Sequence, residues 1–264
     1  MRFIFCVLCL LLSFSAWARF PVVFVHGLGI SAGAYDSLAP LKELFQKHGY
    51  ELYIAHTPAY DTIEQRALVL KLEVEKLIPQ GYYHLVGHSM GGLDSRFAIH
   101  KYNLGQRCLS LTSLASPHYG TPLASLVVKL LHAGKTSHPL VQNFTKLFGK
   151  NLNPIKQLTP EHTSMFNQTV QNDRRVRYFS MSFYIPKPIA IHSFFPSIWF
   201  LHSVIENEGE PLNDGMVGVA STIWGESLGV FPSDHLAETG PFPFRGGLNR
   251  EEVFEKVIEN LNSF

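Results

Sequence analysis

Ser89 stands two residues from a glycine on each side, in Leu85-Val86-Gly87-His88-Ser89-Met90-Gly91-Gly92-Leu93-Asp94-Ser95-Arg96. A serine hydroxyl is a weak nucleophile at neutral pH. It becomes an acyl acceptor only with a base in hydrogen-bond reach and an acid that orients the base. At ordinary glycine and serine frequencies the G-x-S-x-G spacing arises by chance in about one chain in ten of this size, so its surroundings must decide whether it acts. Where a nucleophile sits on a strand–turn–helix elbow, the acid and then the histidine follow it along the chain. Of the 13 histidines, His235 is the only one beyond residue 202, and it lies in Phe231-Pro232-Ser233-Asp234-His235-Leu236-Ala237-Glu238. Asp214, in the glycine-containing turn Asn213-Asp214-Gly215-Met216-Val217, is the favoured acid over Asp234 and Glu206 to Glu210. A neighbour of His235 in sequence could hardly bring its short carboxylate to the ring nitrogen.

The developing negative charge on an attacked carbonyl needs backbone donors. The N–H after the nucleophile, that of Met90, supplies one, and the loop Val25-His26-Gly27-Leu28-Gly29 offers Leu28 as the second. The histidines at 84 and 88 lie four apart but straddle a strand end rather than share a helix face, which argues against a metal pair.

The elements around these residues alternate. Pro21 to His26 reads as a buried parallel strand, and Ala34 to His48 reads as a helix stopped by Gly49. A second strand is expected over Glu51 to Ala55. A helix opened by Thr62 and Gln65, at the capping-box spacing, should run through Leu77. The third strand, Tyr83 to Gly87, runs into Ser89, and a helix follows from Met90 to about Tyr102. Further strands are expected at Cys108 to Ser116, at Val176 to Phe183 and just before His235, and Asn249 caps a closing helix. Short joins between alternating strands and helices predict an α/β fold with a parallel sheet covered on both faces. Between Pro122 and about Thr169 two amphipathic stripes interrupt the sheet: Leu123, Leu126, Val127, Leu130 and Leu131, then Leu140, Phe144, Leu147 and Phe148.

Composition narrows the function classes. A formal net charge of +1, with no basic stripe, gives nucleic acid no electrostatic purchase. Charged residues make up 16% and hydrophobic ones 46% of the 264 residues, a somewhat apolar globular composition and a single domain's length. The start, with Arg2, the apolar run Phe3 to Leu12 and Ala16-Trp17-Ala18, reads as a secretory signal peptide over residues 1–18, with the domain at 19–264. Ser13 and Ser15 interrupt it short of the roughly 20 apolar residues that a membrane span needs. Cys6 and Cys9 fall in this leader, which leaves Cys108 alone and no internal disulfide.

Taken together, "PVVFVHGLG", "LVGHSMGGLDSR", "LASPHYGTPLA", "LTPEHTSMFN" and "NDGMV", in that order, resemble the secreted bacterial triacylglycerol lipases of the Pseudomonas and Burkholderia type. The resemblance implies the α/β-hydrolase fold and hydrolysis of long-chain acylglycerols. It assigns Ser89 as nucleophile, His235 as base, Asp214 as acid, and Leu28 and Met90 as oxyanion donors. It also implies a helical lid over about 122–169, although helices packing on a core explain the same stripes. The partners to expect are a lipid ester and a lipid–water surface, with a folding helper left open, and the destination is the periplasm or the exterior. A phospholipase A1, a short-chain esterase or an acyltransferase could use the same three residues, and a catalytically inactive binding protein is the reading from another class.

Two departures stand out. The calcium ligand that the family carries two residues after the histidine is Ala237 here, and Tyr178 to Ile205 holds no Asp or Glu. A hard cation without carboxylates binds poorly, so no calcium site and no other cofactor is expected. In that acid-free region, Phe194 to Leu201 forms an aromatic cluster suited to lipid contact or to core filling.

Overall fold

The computed structural model describes residues 19–29, 39–148, 152–186, 196–240 and 247–264. The expected leader, the first turns of the helix expected from Ala34, and most of the Phe194–Leu201 cluster lie outside the described side chains.

Among the described residues six strands form the sheet: β1 (Val22–Val25), β2 (Leu52–Ile54), β3 (Tyr83–His88), β4 (Cys108–Leu114), β5 (Arg177–Tyr184) and β6 (Glu226–Pro232). They are all parallel, in the order β2-β1-β3-β4-β5-β6. Parallel neighbours need crossovers, and the helices supply them: α1 (Ala39–Lys47), α2 (Ile63–Leu77) and α3 (Met90–Tyr102) link the first four strands. β1 shows why both faces must be covered. Val22 and Phe24 point to one side and Val23 and Val25 to the other, as the two-residue period demands, and all four are fully buried.

Val22 and Phe24 pack with Leu41 and Phe45 of α1 and with Val253, Phe254, Val257 and Ile258 of the closing helix. The Phe254 ring meets those of Phe24 and Phe45 edge to face at 5.5 and 5.8 Å. Burying one such side chain is worth about 1.5–3 kcal/mol. On the opposite face Val23 and Val25 pack with Ala67, Leu70 and Val74 of α2 and with Ala98 and Ile99 of α3.

The interrupting segment forms four helices rather than two: α4 (Pro122–His132), α5 (Pro139–Phe148), α6 (Asn153–Lys156) and α7 (Pro160–Thr169). Pro154 is the second residue of α6 and Pro160 the first of α7, in the opening turn where a proline is tolerated because its missing N–H has no partner there, and the Thr159 hydroxyl accepts from His162 N–H. Both stripes bury their leading residues: Leu123 and Val127 from α4 and Leu140 and Phe144 from α5 join Leu28, Met90, Leu93, Met216 and Val217 in a third apolar cluster. This cluster includes residues at the carboxyl ends of β1 and β3, the edge where open α/β sheets place their sites.

A helix not read from the sequence, α8 (Pro196–Asn207), contributes Leu201 and Ile205 to the same cluster, so the part of the aromatic segment that is described fills core. After the short α9 (Val219–Thr222) and β6, the chain closes with α10 (Arg250–Leu261). Asn249 caps α10: its Oδ1 accepts from Glu252 N–H at 3.0 Å while the Glu252 carboxylate accepts from Asn249 N–H at 2.8 Å. The start expected for the first helix, Ala34, lies outside the described residues; the other expected elements appear with ends shifted by a residue or two, and α3 has the expected bounds.

Candidate active site

β3 delivers the chain to Ser89 and α3 carries it away, and the turn between them is forced. Ser89 adopts φ 53°, ψ −128°, a region that L residues occupy only when their surroundings impose it. The imposing contacts are those between β1, β3 and α3. A Cβ at Gly87 would lie 2.6–2.7 Å from backbone atoms of Gly91 and Gly92, and one at Gly91 would overlap the Val25 carbonyl oxygen. Glycine is required at both positions because backbone meets backbone there. Ser89 N–H donates to Leu114 O at 2.8 Å, which fixes the turn to the end of β4.

His235 follows β6 and brings Nε2 to 3.0 Å from Ser89 Oγ, while Nδ1 lies 2.7 Å from Asp214 Oδ2. The ring is thus oriented with an N–H toward the carboxylate and the other nitrogen toward the hydroxyl. Asp214 is held in turn. Its Oδ1 accepts from Met216 and Val217 N–H, both at 2.8 Å, its backbone carbonyl accepts from His235 N–H at 3.0 Å, and Gly215 takes φ 91° to close the turn. Asp234 has another task. Its carboxylate caps the turn after β6, accepting from Leu236 and Ala237 N–H at 3.0 Å each. Three residues from distant parts of the chain therefore meet in one hydrogen-bonded series, and Asp214 rather than Asp234 completes it.

Leu28 and Met90 flank this series. Met90 opens α3, whose first N–H groups have no acceptor within the helix. Leu28 follows Gly27, where a Cβ would come within 2.9 Å of Ser89 Cβ, so the loop after β1 passes directly over the serine. Both residues are buried beside the serine turn, next to where an oxyanion at Ser89 would need backbone donors.

Beside the series lie Glu238, which was not singled out from the sequence, and His88, weighed there only as half of a metal pair with His84. The His88 ring lies 4.8 Å from the His235 ring, and its Nε2 is 3.2 Å from a Glu238 carboxylate oxygen. Both side chains are buried. Burial holds the Glu238 carboxyl well above the usual carboxylate range, with the nearby Asp214 and Asp234 charges adding to the effect. Burial also pushes His88 well below an ordinary histidine, with His235 adding to it. Both shifts run toward the uncharged forms, which favours a hydrogen bond over an ion pair in this buried contact. The only signal in the sequence was position, with Glu238 three residues after His235 and His88 immediately before Ser89.

His88, His235 and Glu238 bring donor atoms within 4.8 Å of one another. Both ring nitrogens of His235 are already engaged with Ser89 and Asp214, so an ion there would displace the series. His84, by contrast, bonds Ser110 Oγ at 2.7 Å through Nδ1 and does not join His88. The calcium that the lipase resemblance implies also does not fit. Position 237 presents a buried methyl, and the neighbouring Asp234 carboxylate is spent on two backbone N–H groups. Chelation with EDTA is expected to leave both melting temperature and ester turnover unchanged; a clear fall in either would reveal a divalent site.

A parallel sheet covered on both faces, with a strained serine at the turn after β3 and histidine and aspartate on later loops, defines an alpha/beta hydrolase. The chain belongs to that family: the alpha/beta hydrolase fold matches residues 21–190. Among curated proteins it is 32% identical over 211 residues to triacylglycerol lipase 2 of Saccharomyces cerevisiae, covering 74% of this chain and 60% of that one. It is 26% identical over 175 residues to a triacylglycerol lipase of Burkholderia plantarii, covering 58% of this chain and 48% of that one. The chain thus spans about half to three-fifths of these relatives' lengths. Among solved structures, a metagenomic carboxyl esterase superposes with a TM-score of 0.74 at 22% identity, over 94% of this chain and 77% of that one. A Bacillus licheniformis lipase in its mature form superposes with 0.68 at 21% identity, over 83% and 85%. These two likenesses are of fold.

Proposed function

We propose that the protein is a serine carboxylester hydrolase acting on acylglycerols, a triacylglycerol lipase allied to the Pseudomonas and Burkholderia type and exported through its N-terminal leader to the periplasm or beyond. The observation that carries this reading is the hydrogen-bonded series from Ser89 through His235 to Asp214 at a strained elbow. Two supports accompany it: relatives named as triacylglycerol lipases, and an apolar cluster that runs from Leu28 and Met90, which flank the serine, to Leu123, Val127 and Met216, chemistry that suits an acyl chain.

The reading gives each step to a named residue. His235 Nε2 takes the Ser89 proton as Oγ attacks the ester carbonyl, and Asp214, fixed by two N–H donors, stabilises the imidazolium that forms. The carbonyl oxygen gains charge and receives the N–H groups of Leu28 and Met90, each worth roughly 3 kcal/mol in the transition state. The imidazolium then returns its proton to the departing glyceride oxygen, which leaves an acyl-serine. Water, deprotonated by the same nitrogen, repeats the sequence and releases the fatty acid. Among the described residues no helix is long and apolar enough to cross a membrane.

The test is labelling with a fluorophosphonate, followed by a profile of turnover against acyl chain length above and below the solubility limit. Stoichiometric modification at Ser89 and a preference for emulsified long-chain glycerides are expected. Folded protein that does not label would remove the hydrolase reading, and a preference for phospholipids or for short soluble esters would replace the substrate.

A further inference from the structure

Arg66 is fully buried in α2, in line with Ile63, Ala67, Leu70 and Val74, where the apolar stripe of the helix should continue. A guanidinium in such a place must be matched on every side. Its Nε donates to Asp94 Oδ2 at 2.7 Å, Nη2 donates to the His26 carbonyl at 2.6 Å, and Nη1 donates to the Pro58 carbonyl. Asp94 belongs to α3, the helix that starts at the serine turn, and is itself fully buried. One side chain thus ties the helix behind the nucleophile to the loop in front of it.

That loop is pinned at three successive peptide units. Arg66 holds the oxygen of the 26–27 peptide. The His26 ring lies 2.9 Å from the Gly27 oxygen through Nδ1, on the 27–28 peptide. Gly29 N–H donates to Ala59 O at 2.8 Å, on the 28–29 peptide. The middle unit matters most. In a trans peptide the C=O and N–H point in opposite directions, so fixing the Gly27 oxygen fixes the direction of the Leu28 N–H. The His26 ring can do this only with its proton on Nδ1, because the Gly27 carbonyl accepts and cannot donate. Nε2, 3.1 Å from both the Thr57 hydroxyl and the Thr57 carbonyl, then takes the hydroxyl proton. Burial, with Arg66 close by, lowers His26 to about 4, which keeps the ring neutral and compatible with this single-proton arrangement.

We infer that His26, backed by the Arg66–Asp94 pair, is a positioning residue that aims the Leu28 N–H at the oxyanion. This rests on the hydrolase reading above, and it extends that reading to groups that touch neither substrate nor nucleophile. A donor that is present but misaimed fails in the transition state rather than in the ground state.

The experiment compares His26→Asn, whose amide nitrogen stands near the Nδ1 position, with His26→Gln, whose amide stands near Nε2, and with Arg66→Lys. All are measured on a soluble p-nitrophenyl ester and with an alkyl boronic acid that forms a tetrahedral adduct on serine. For His26→Gln we expect kcat to fall at least tenfold with KM within about twofold, and boronate affinity to weaken by the same factor. His26→Asn should recover most of that loss, and Arg66→Lys should show the same signature at smaller size. Equal losses in the Asn and Gln variants, or a kcat loss without the matching boronate loss, would overturn the inference. Wild-type protein that hydrolyses ester and labels with fluorophosphonate keeps the hydrolase reading in either case; wild-type protein that does neither removes that reading itself.

Discussion

Ser89→Ala is expected to lower ester turnover by about four to six orders of magnitude while leaving the fold in place. The size follows from the role. Without the hydroxyl no acyl-enzyme can form, and what remains is the acceleration that the oxyanion donors and binding give to direct attack by water. The neutrality toward folding follows from the turn. Alanine at φ 53° is as strained as serine, so the change neither relieves nor adds backbone cost, and it removes one hydroxyl whose partner, His235, keeps its bond to Asp214. Ser89→Gly separates the two effects, since glycine adopts this conformation freely. It should be equally inactive and more stable by about 1 kcal/mol, because the strain is released. Turnover of a soluble ester together with urea denaturation measures both quantities. Ester turnover by Ser89→Ala at more than a thousandth of the wild-type rate would take the nucleophile away from Ser89.

What could be read from the chain, and what could not, divides along physical lines. The strand–turn–helix around Ser89 was legible because each part is a local effect. A β-branched apolar run makes β3, glycines allow the close turn, and α3 starts where the strained residue ends. Asp214 and His235 were legible because chain order leaves few candidates, and the structure brings them into hydrogen-bond reach of one another and His235 into reach of Ser89. The four-helix form of the 122–169 segment was under-read because α6 and α7, started near Pro154 and Pro160, lie beyond the second stripe, which ends at Phe148. Arg66 and Asp94 escaped notice for a different reason. A charged residue on a helix is ordinarily at the surface, and only tertiary structure shows that α2 and α3 turn these two inward to face each other. The pairing of His88 with Glu238 is likewise a contact across 150 residues, which no local pattern encodes.

The sharpest loss of fold should come from a single methyl at Gly91. A Cβ there overlaps the Val25 carbonyl oxygen and lies 2.8 Å from the His26 oxygen and 2.9 Å from the Val25 carbonyl carbon, all of them backbone atoms at the end of β1. Neither side can yield by turning a rotamer, because β1 is hydrogen-bonded to β2 and β3, and α3 is packed against α2 through the buried Arg66–Asp94 pair. To admit the methyl, α3 must move away from β1. Gly91→Ala is therefore expected to cost about 3 kcal/mol or more, at the upper end for overpacking, and to abolish turnover in whatever fraction still folds. Gly92→Ala is the control one residue away. There the added Cβ meets side-chain atoms, Ser116 Oγ closest, Ser116 Cβ at 2.8 Å and Ser113 Oγ at 3.2 Å, so a hydroxyl can rotate and a side chain give by a few tenths of an ångström where at Gly91 strand backbone would have to move. Urea denaturation should find Gly92→Ala costing no more than about half as much, if the rigidity of the turn is what sets the price. Equal destabilisation of the two variants would mean that the β1–α3 contact yields, and the strain at Ser89 would then need another source.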